Sequence, residues 1–88
     1  MTPEDSEQPV LLAYEIPAGE SVSMAAIRAV SSLKGREIRE LRPLYETIDP
    51  EMLDELCESQ QNGTVKFVYS DYHITVEAGT YLLLQPAE

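Results

Sequence analysis

Leu41-Arg42-Pro43-Leu44-Tyr45-Glu46-Thr47-Ile48-Asp49-Pro50-Glu51-Met52-Leu53-Asp54-Glu55-Leu56 packs a stop, a corner and a start into one run. Pro43 biases Arg42 away from helical geometry, so a preceding helical piece ends there. Asp49-Pro50 opens a new helix: the Asp49 side chain can accept from free first-turn amides, and Pro50 has no amide to lose. Ile48 and Leu53 stand before the cap and four residues after it, where two apolar side chains clip together as a staple. The spacing predicts that Leu44, Ile48, Leu53 and Leu56 reach one core through this corner, with Tyr45 packing it and holding its hydroxyl near solvent.

Outward from the corner, the chain has room for one domain. It has 88 residues, of which 43% are hydrophobic, enough for one modest core. We expect an acidic, flexible tail over residues 1–8 and a single α+β domain over residues 9–86. No apolar run approaches the roughly 20 residues that a membrane span requires. The acidic start, Glu4, Asp5 and Glu7, is the opposite of a secretory leader. A cytoplasmic location is the expectation.

Upstream of the corner, Val10 to Ile16 reads as a strand ending at Pro17. Ser21 caps a first helix running to about Lys34, with Val22, Ala26, Ala29, Val30 and Leu33 as a narrow stripe of mostly small residues. Gly35 suits the left-handed position that closes it. A short helical piece follows over Arg36–Leu41, and a third helix runs from Pro50 to about Gln60, closed by Asn62-Gly63.

Downstream the pattern changes to alternation. If Ser70-Asp71 forms a two-residue turn, Tyr69 faces Tyr72, Phe67 faces Ile74 and Val65 faces Val76, with every large apolar residue on one side. Ala78-Gly79 reads as a second turn, placing Tyr81 and Leu83 on that same face. The other face then carries Lys66, Val68, His73, Thr75, Glu77, Leu82 and Leu84. It is too apolar for a solvated surface, so either a second small core or the N-terminal segment covers it, or it receives a partner. The expected architecture is two to three helices on one face of a small antiparallel sheet, in the order β-α-α-α-β-β-β.

Charge is the strongest compositional signal. Sixteen acids against six bases give a formal net charge of −10. Such self-repulsion destabilises a compact chain in dilute buffer, but at 1 M salt the Debye length shrinks to about 3 Å. This reads as a surface adapted to high salt, in preference to an acidic mimic of another molecule. All bases but Lys66 lie between residues 28 and 42: Arg28, Lys34, Arg36, Arg39 and Arg42. That island either pairs with neighbours such as Glu37, Glu40 and Glu46, or binds phosphates or an acidic helix of another protein.

The series Gly35, Ile38, Leu41-x-Pro43-Leu44-Tyr45-x-x-Ile48-Asp49-Pro50-x-x-Leu53-x-x-Leu56, followed by a hairpin, resembles the halobacterial output domain family. The resemblance covers roughly residues 9–84, and its most specific part is the spacing of Pro-Leu-Tyr and Ile-Asp-Pro. Arg42 stands where a proline is common in that family. The resemblance implies a small α+β signalling or regulatory module from a salt-loving archaeon, here without an attached receiver domain. It implies no catalytic residue.

The residues themselves point away from chemistry. Cys57 is the lone cysteine and His73 the lone histidine, so neither an intramolecular disulfide nor a cysteine-based metal cluster is available. Cys57 sits beside Leu56 on the apolar stripe, and His73 is expected on the far sheet face. Glu51, Asp54, Glu55 and Glu58 read as a solvated helical face. We therefore expect no catalytic, cofactor or metal site, and a non-enzymatic signalling module that works through protein contacts. Candidate interaction residues are Arg28, Lys34, Arg36, Arg39, Arg42, Val68, His73, Leu82 and Leu84, with a homodimer through the sheet among the outcomes. Pro43, Leu44, Tyr45, Ile48, Asp49, Pro50 and Leu53 form the structural corner. The alternative is a transcription-associated protein touching nucleic acid through residues 28–42. It is disfavoured because the third helix is acidic and no recognition helix is evident.

Overall fold

The computed structural model describes residues 9–59 and 63–87. The expected tail over residues 1–8 and the Asn62 half of the expected Asn62-Gly63 stop lie outside them. The elements are β1 (Leu12–Glu15), α1 (Val22–Lys34), two short 3-10 turns at Ile38–Glu40 and Leu44–Glu46, α2 (Pro50–Ser59), β2 (Thr64–Tyr69), β3 (Tyr72–Glu77) and β4 (Tyr81–Pro86). The strands form one antiparallel sheet in the spatial order β1-β4-β3-β2. This is the α+β arrangement that the pattern predicts, with the first strand pairing against the last.

Each helix boundary follows from its local chemistry. The Ser21 hydroxyl accepts the Met24 amide, and Gly35, at φ 65°, closes α1 while its amide reaches back to the Ser31 and Ser32 carbonyls. Asp49 opens α2 as expected: its side chain accepts from the Glu51 amide at 2.9 Å and its carbonyl from Leu53 at 2.9 Å. Between the helices there is room only for 3-10 turns, so the Arg36–Leu41 piece shrinks to Ile38–Glu40. Its start is held by Glu40, whose carboxylate accepts the Glu37 amide at 3.1 Å.

α1 lies across the sheet against β1, β3 and β4, and α2 packs on α1. Ala25, Ala26, Ala29 and Val30 of α1 are fully buried, and no longer side chain separates them from the sheet. Leu44, Leu53 and Cys57 join them from the corner and α2; Tyr69, Ile74, Val76, Leu82 and Leu84 join from the sheet.

The corner departs from expectation at two residues. Tyr45 is 71% exposed and does not pack it. A 3-10 turn has about three residues per turn, so with Leu44 turned inward the next side chain is thrown outward. Leu56 is also exposed, while Leu53 and Cys57 face the core. The reason lies in Asp54, whose carboxylate accepts the Ser23 amide at 2.9 Å and the Ser23 hydroxyl at 3.0 Å. Successive helical residues turn by about 100°, so drawing Asp54 toward α1 rolls Met52 and Leu56 toward water. Asp54 is therefore an inter-helix tie and not part of a solvated face.

The β2–β3 register is the expected one, with Tyr69 opposite Tyr72, Phe67 opposite Ile74 and Val65 opposite Val76. Ser70 and Asp71 both adopt positive φ, 51° and 75°, which is the twist a two-residue hairpin prefers. The β3–β4 register corrects the reading of the last strand. Glu77 pairs with Tyr81, so the loop is Ala78-Gly79-Thr80 and not Ala78-Gly79 alone. One added loop residue turns every side chain of the following strand over. Leu82 and Leu84 consequently oppose Val76 and Ile74 in the core, both fully buried, and are not interaction residues. Tyr81 and Leu83 take the outer face in their place.

The register assigns different energies to neighbouring leucines. Leu84→Ala should cost about 2–5 kcal/mol by opening a cavity in the core. Leu83→Ala, from the outer face, should cost less than about 1.5 kcal/mol. Urea unfolding in multimolar KCl measures both, and equal losses would contradict the register.

Candidate functional site

The basic island is divided by the fold. Arg28 pairs with Glu20 through Nε at 2.6 Å, on the β1–α1 loop side, where Glu20 also accepts the Tyr14 hydroxyl at 3.3 Å. Arg39 pairs with Glu37 at 2.8 Å on the open surface. Lys34, Arg36 and Arg42 instead line one cleft of about 480 Å³, together with Glu40, Leu41, Thr47, Ser70 and Asp71. Lys34 Nζ meets Asp71 at 3.2 Å and stands 5.9 Å from the Tyr72 ring centre. Among the described residues no carboxylate pairs with Arg36 or Arg42.

The backbone under those two arginines is fastened by side chains from elsewhere. The Arg36 amide donates to the Ser31 carbonyl at 3.2 Å, and the Ser31 hydroxyl donates back to the Arg36 carbonyl. The Tyr69 hydroxyl, on a ring only 1% exposed, donates to the Arg42 carbonyl at 2.6 Å. The same tyrosine thus packs the core, closes the corner ahead of Pro43 and holds one wall of the cleft. Sequence reading placed Tyr69 on the correct sheet face but had no signal for this bond, because it spans two elements far apart in the chain.

The outer sheet face is the second candidate. The pairings lay it out in rows: Glu15, Tyr81, Glu77 and Thr64; then Ala13, Leu83, Thr75 and Lys66; then Gln85, His73 and Val68, with Leu11 just before β1 at the same end. Leu11, Val68 and Tyr81 are each more than 40% exposed, and His73 is exposed as expected. Thr75, at the centre, is 8% exposed beneath its neighbours. The helices all lie on the other side.

Cys57 and His73 stand on opposite sides of the sheet, so the fold does not bring them together. Burial pushes the Cys57 thiol up, and the Asp54 charge adds to this. It lines an open depression with the carboxylates of Glu20, Asp54 and Glu58, and among the described lining residues there is no histidine, lysine or arginine to favour its thiolate. Among the described residues no three His, Cys, Asp or Glu side chains gather as a metal site, and no helix is long and apolar enough to cross a membrane.

A two-layer α+β module with a sheet face that no described element covers and a small basic cleft is the class these observations define. The sequence matches the family model of halobacterial output domain 1 over residues 18–83, and the chain belongs to that family. The matched stretch begins after β1 and takes in the cleft and both helices. Neither a curated protein nor a solved structure matches the chain.

Two measurements check the site's framework. Tyr69→Phe leaves the Arg42 carbonyl without its donor and should cost about 1–2 kcal/mol in urea unfolding. The second follows from three raised pKa values: burial raises the Tyr69 phenol as it does the Cys57 thiol, and burial followed by Glu20 raises Tyr14. These groups ionise first in the unfolded chain, so the stability they contribute is complete below the ordinary cysteine and tyrosine values, about 8.5 and 10, and is lost as pH rises through the folded ones. The unfolding midpoint should begin to fall above about pH 8.5, and in Cys57→Ala the onset should move to about pH 10.

Proposed function

We propose that this halobacterial output domain is a cytoplasmic, non-enzymatic signalling module that acts by protein contact, and that its outer sheet face is the contact surface. The observation that carries this is the row structure of that face, in which Leu11, Tyr81 and Val68 surround Leu83 and Thr75 with no helix over them. The separation of Cys57 from His73 supports binding over catalysis.

The face is complementary to itself. A two-fold axis parallel to the strands lays β1 of one copy over β2 of the other. Leu11 then meets Val68, Glu15 meets Thr64, Tyr81 meets Glu77 and Leu83 meets Thr75, so that no acid is stacked on an acid. An axis across the strands would instead set Lys66 against Lys66. With strands about 4.8 Å apart and about 3.3 Å per residue, the footprint is roughly 400 Å² per copy. The total of roughly 800 Å² falls below the about 1,200 Å² at which stable specific interfaces begin, so the dimer is weak, transient and concentration-dependent. In multimolar salt the net charge of −10 opposes it little, because screening is nearly complete within a few ångströms.

Nucleic-acid binding through residues 28–42 has less support. Of the cations in that segment, the two without an ion pair among the described residues, Arg36 and Arg42, share a cleft and do not run along a helix that a groove could accept, and α2 is acidic.

Light scattering over a concentration series in multimolar KCl should show the mass rising from monomer toward dimer. Val68→Glu and Leu11→Glu should hold the protein monomeric, while Met52→Glu on the exposed side of α2 should leave association unchanged. A wild-type protein that stays monomeric at every concentration overturns the self-contact, as does loss of association in Met52→Glu alone.

A further inference from the structure

The geometry points to a second site: we infer that the cleft between Lys34, Arg36 and Arg42 binds a small phosphate-bearing anion. This site is separate from the sheet face and does not depend on it.

Arg36 and Arg42 keep no ion pair among the described residues, in a protein with sixteen acids. Carboxylates are plentiful, and Arg28 and Arg39 each have one. Two unpaired guanidinium groups in one concavity are therefore a specific departure from the surface around them. High salt sharpens the argument. With a Debye length of about 3 Å at 1 M, cations have no long-range field to offer, and only direct contact contributes. Arginine is suited to that regime, because its planar fork makes paired, charge-assisted hydrogen bonds to phosphate oxygens that chloride cannot reproduce.

The mounting is the second observation. Ser31 grips the Arg36 backbone through both its carbonyl and its hydroxyl, and the buried Tyr69 grips that of Arg42. Lys34 is set by Asp71 and the Tyr72 ring. The backbone under both arginines and the Lys34 ammonium are thus held in place before binding, which leaves only the arginine side chains to be ordered. At the lip, Ser70 and Asp71 hold positive φ, a conformation that side-chain-bearing residues adopt at a cost. Among the described residues, Thr47 and Ser70 add hydroxyl groups to the lining, Leu41 is its one apolar side chain, and its two carboxylates are already engaged, Asp71 by Lys34 and Glu40 by the Glu37 amide. Among the described lining residues there is no aromatic ring on which a nucleobase could stack, and the nearby Tyr72 ring carries the Lys34 ammonium. The ligand class is therefore a compact, multiply charged phosphate and not a nucleotide read through its base.

The test uses pyrophosphate as the probe, titrated into the ¹⁵N-labelled protein in multimolar KCl and followed by amide chemical shifts. Saturable shifts should appear at residues 34–36, 40–42, 47 and 70–71. Arg36→Gln and Arg42→Gln should each weaken binding about tenfold through the lost fork. Arg39→Gln, outside the cleft, should change nothing. Both arginine side chains are exposed, so these variants should fold, and unperturbed amide spectra elsewhere check this. ADP should bind no tighter than pyrophosphate. The inference is overturned if pyrophosphate gives no saturable shift, if either arginine variant binds it as tightly as the wild type does, or if citrate binds equally well. ADP binding at least ten times tighter than pyrophosphate overturns the choice of ligand. Shifts of the same amides with duplex DNA, absent with pyrophosphate, overturn it in favour of nucleic acid. None of these results depends on whether the sheet face self-associates.

Discussion

The hydrogen bond from the Tyr69 hydroxyl to the Arg42 carbonyl is the constraint on which the most separate parts of this domain converge. The ring fills the core at the end of β2, and the hydroxyl reaches the residue that Pro43 has already forced out of helical geometry. Without it the segment between the two helices would be attached by its own short turns, by the Ser31–Arg36 bonds and by Leu41, Leu44 and Ile48 on the core. With it, the sheet sets the place at which the chain turns from α1 toward α2. A buried phenol needs a partner, and a carbonyl before proline is free to provide one. The two requirements meet in one bond.

The two helices are tied in a different way. Asp54 presents its carboxylate to the N-terminus of α1, accepting both polar hydrogens of Ser23 where the helix leaves amides without internal partners. It also sits where the helix dipole favours negative charge. An acidic surface thus has a structural use at one position: the same residue type that keeps the molecule hydrated also fixes the roll of α2. The remaining acids of α2 are turned outward, and so are Met52 and Leu56.

Most of the fold was legible because its signals are local. Ser21, Gly35 and Asp49-Pro50 mark helix boundaries through chemistry confined to one turn, and the alternation from Val65 to Val76 sets the β2–β3 register. The misplacement of Leu82 and Leu84 came from a single residue. Tyr81-Leu82-Leu83-Leu84 is apolar at nearly every position, so its own pattern cannot say which side faces in, and the length of the preceding loop decides. Helical spacing alone misplaces Tyr45 and Leu56, because a 3-10 turn and a rolled helix interrupt it. The cleft was visible only as a cluster of bases. Arg39 pairs locally with Glu37, but which of the others line the cavity depends on Asp71 and Tyr69, both distant in sequence from the lysine and arginine that they position.

The alanine seam of α1 carries a consequence for how this architecture can vary. At Ala25, Ala26 and Ala29 the helix meets its neighbours with a methyl group and no spare room. Chemistry is not what these three sites select; volume is. A bulkier residue at any of them must be matched by a smaller one opposite, among Val76, Leu82 and Leu84 or on α2, or the helix lifts away and both layers lose their common fill. Change along this seam therefore comes in compensating pairs, while the exposed acids a few ångströms away are free to drift one at a time.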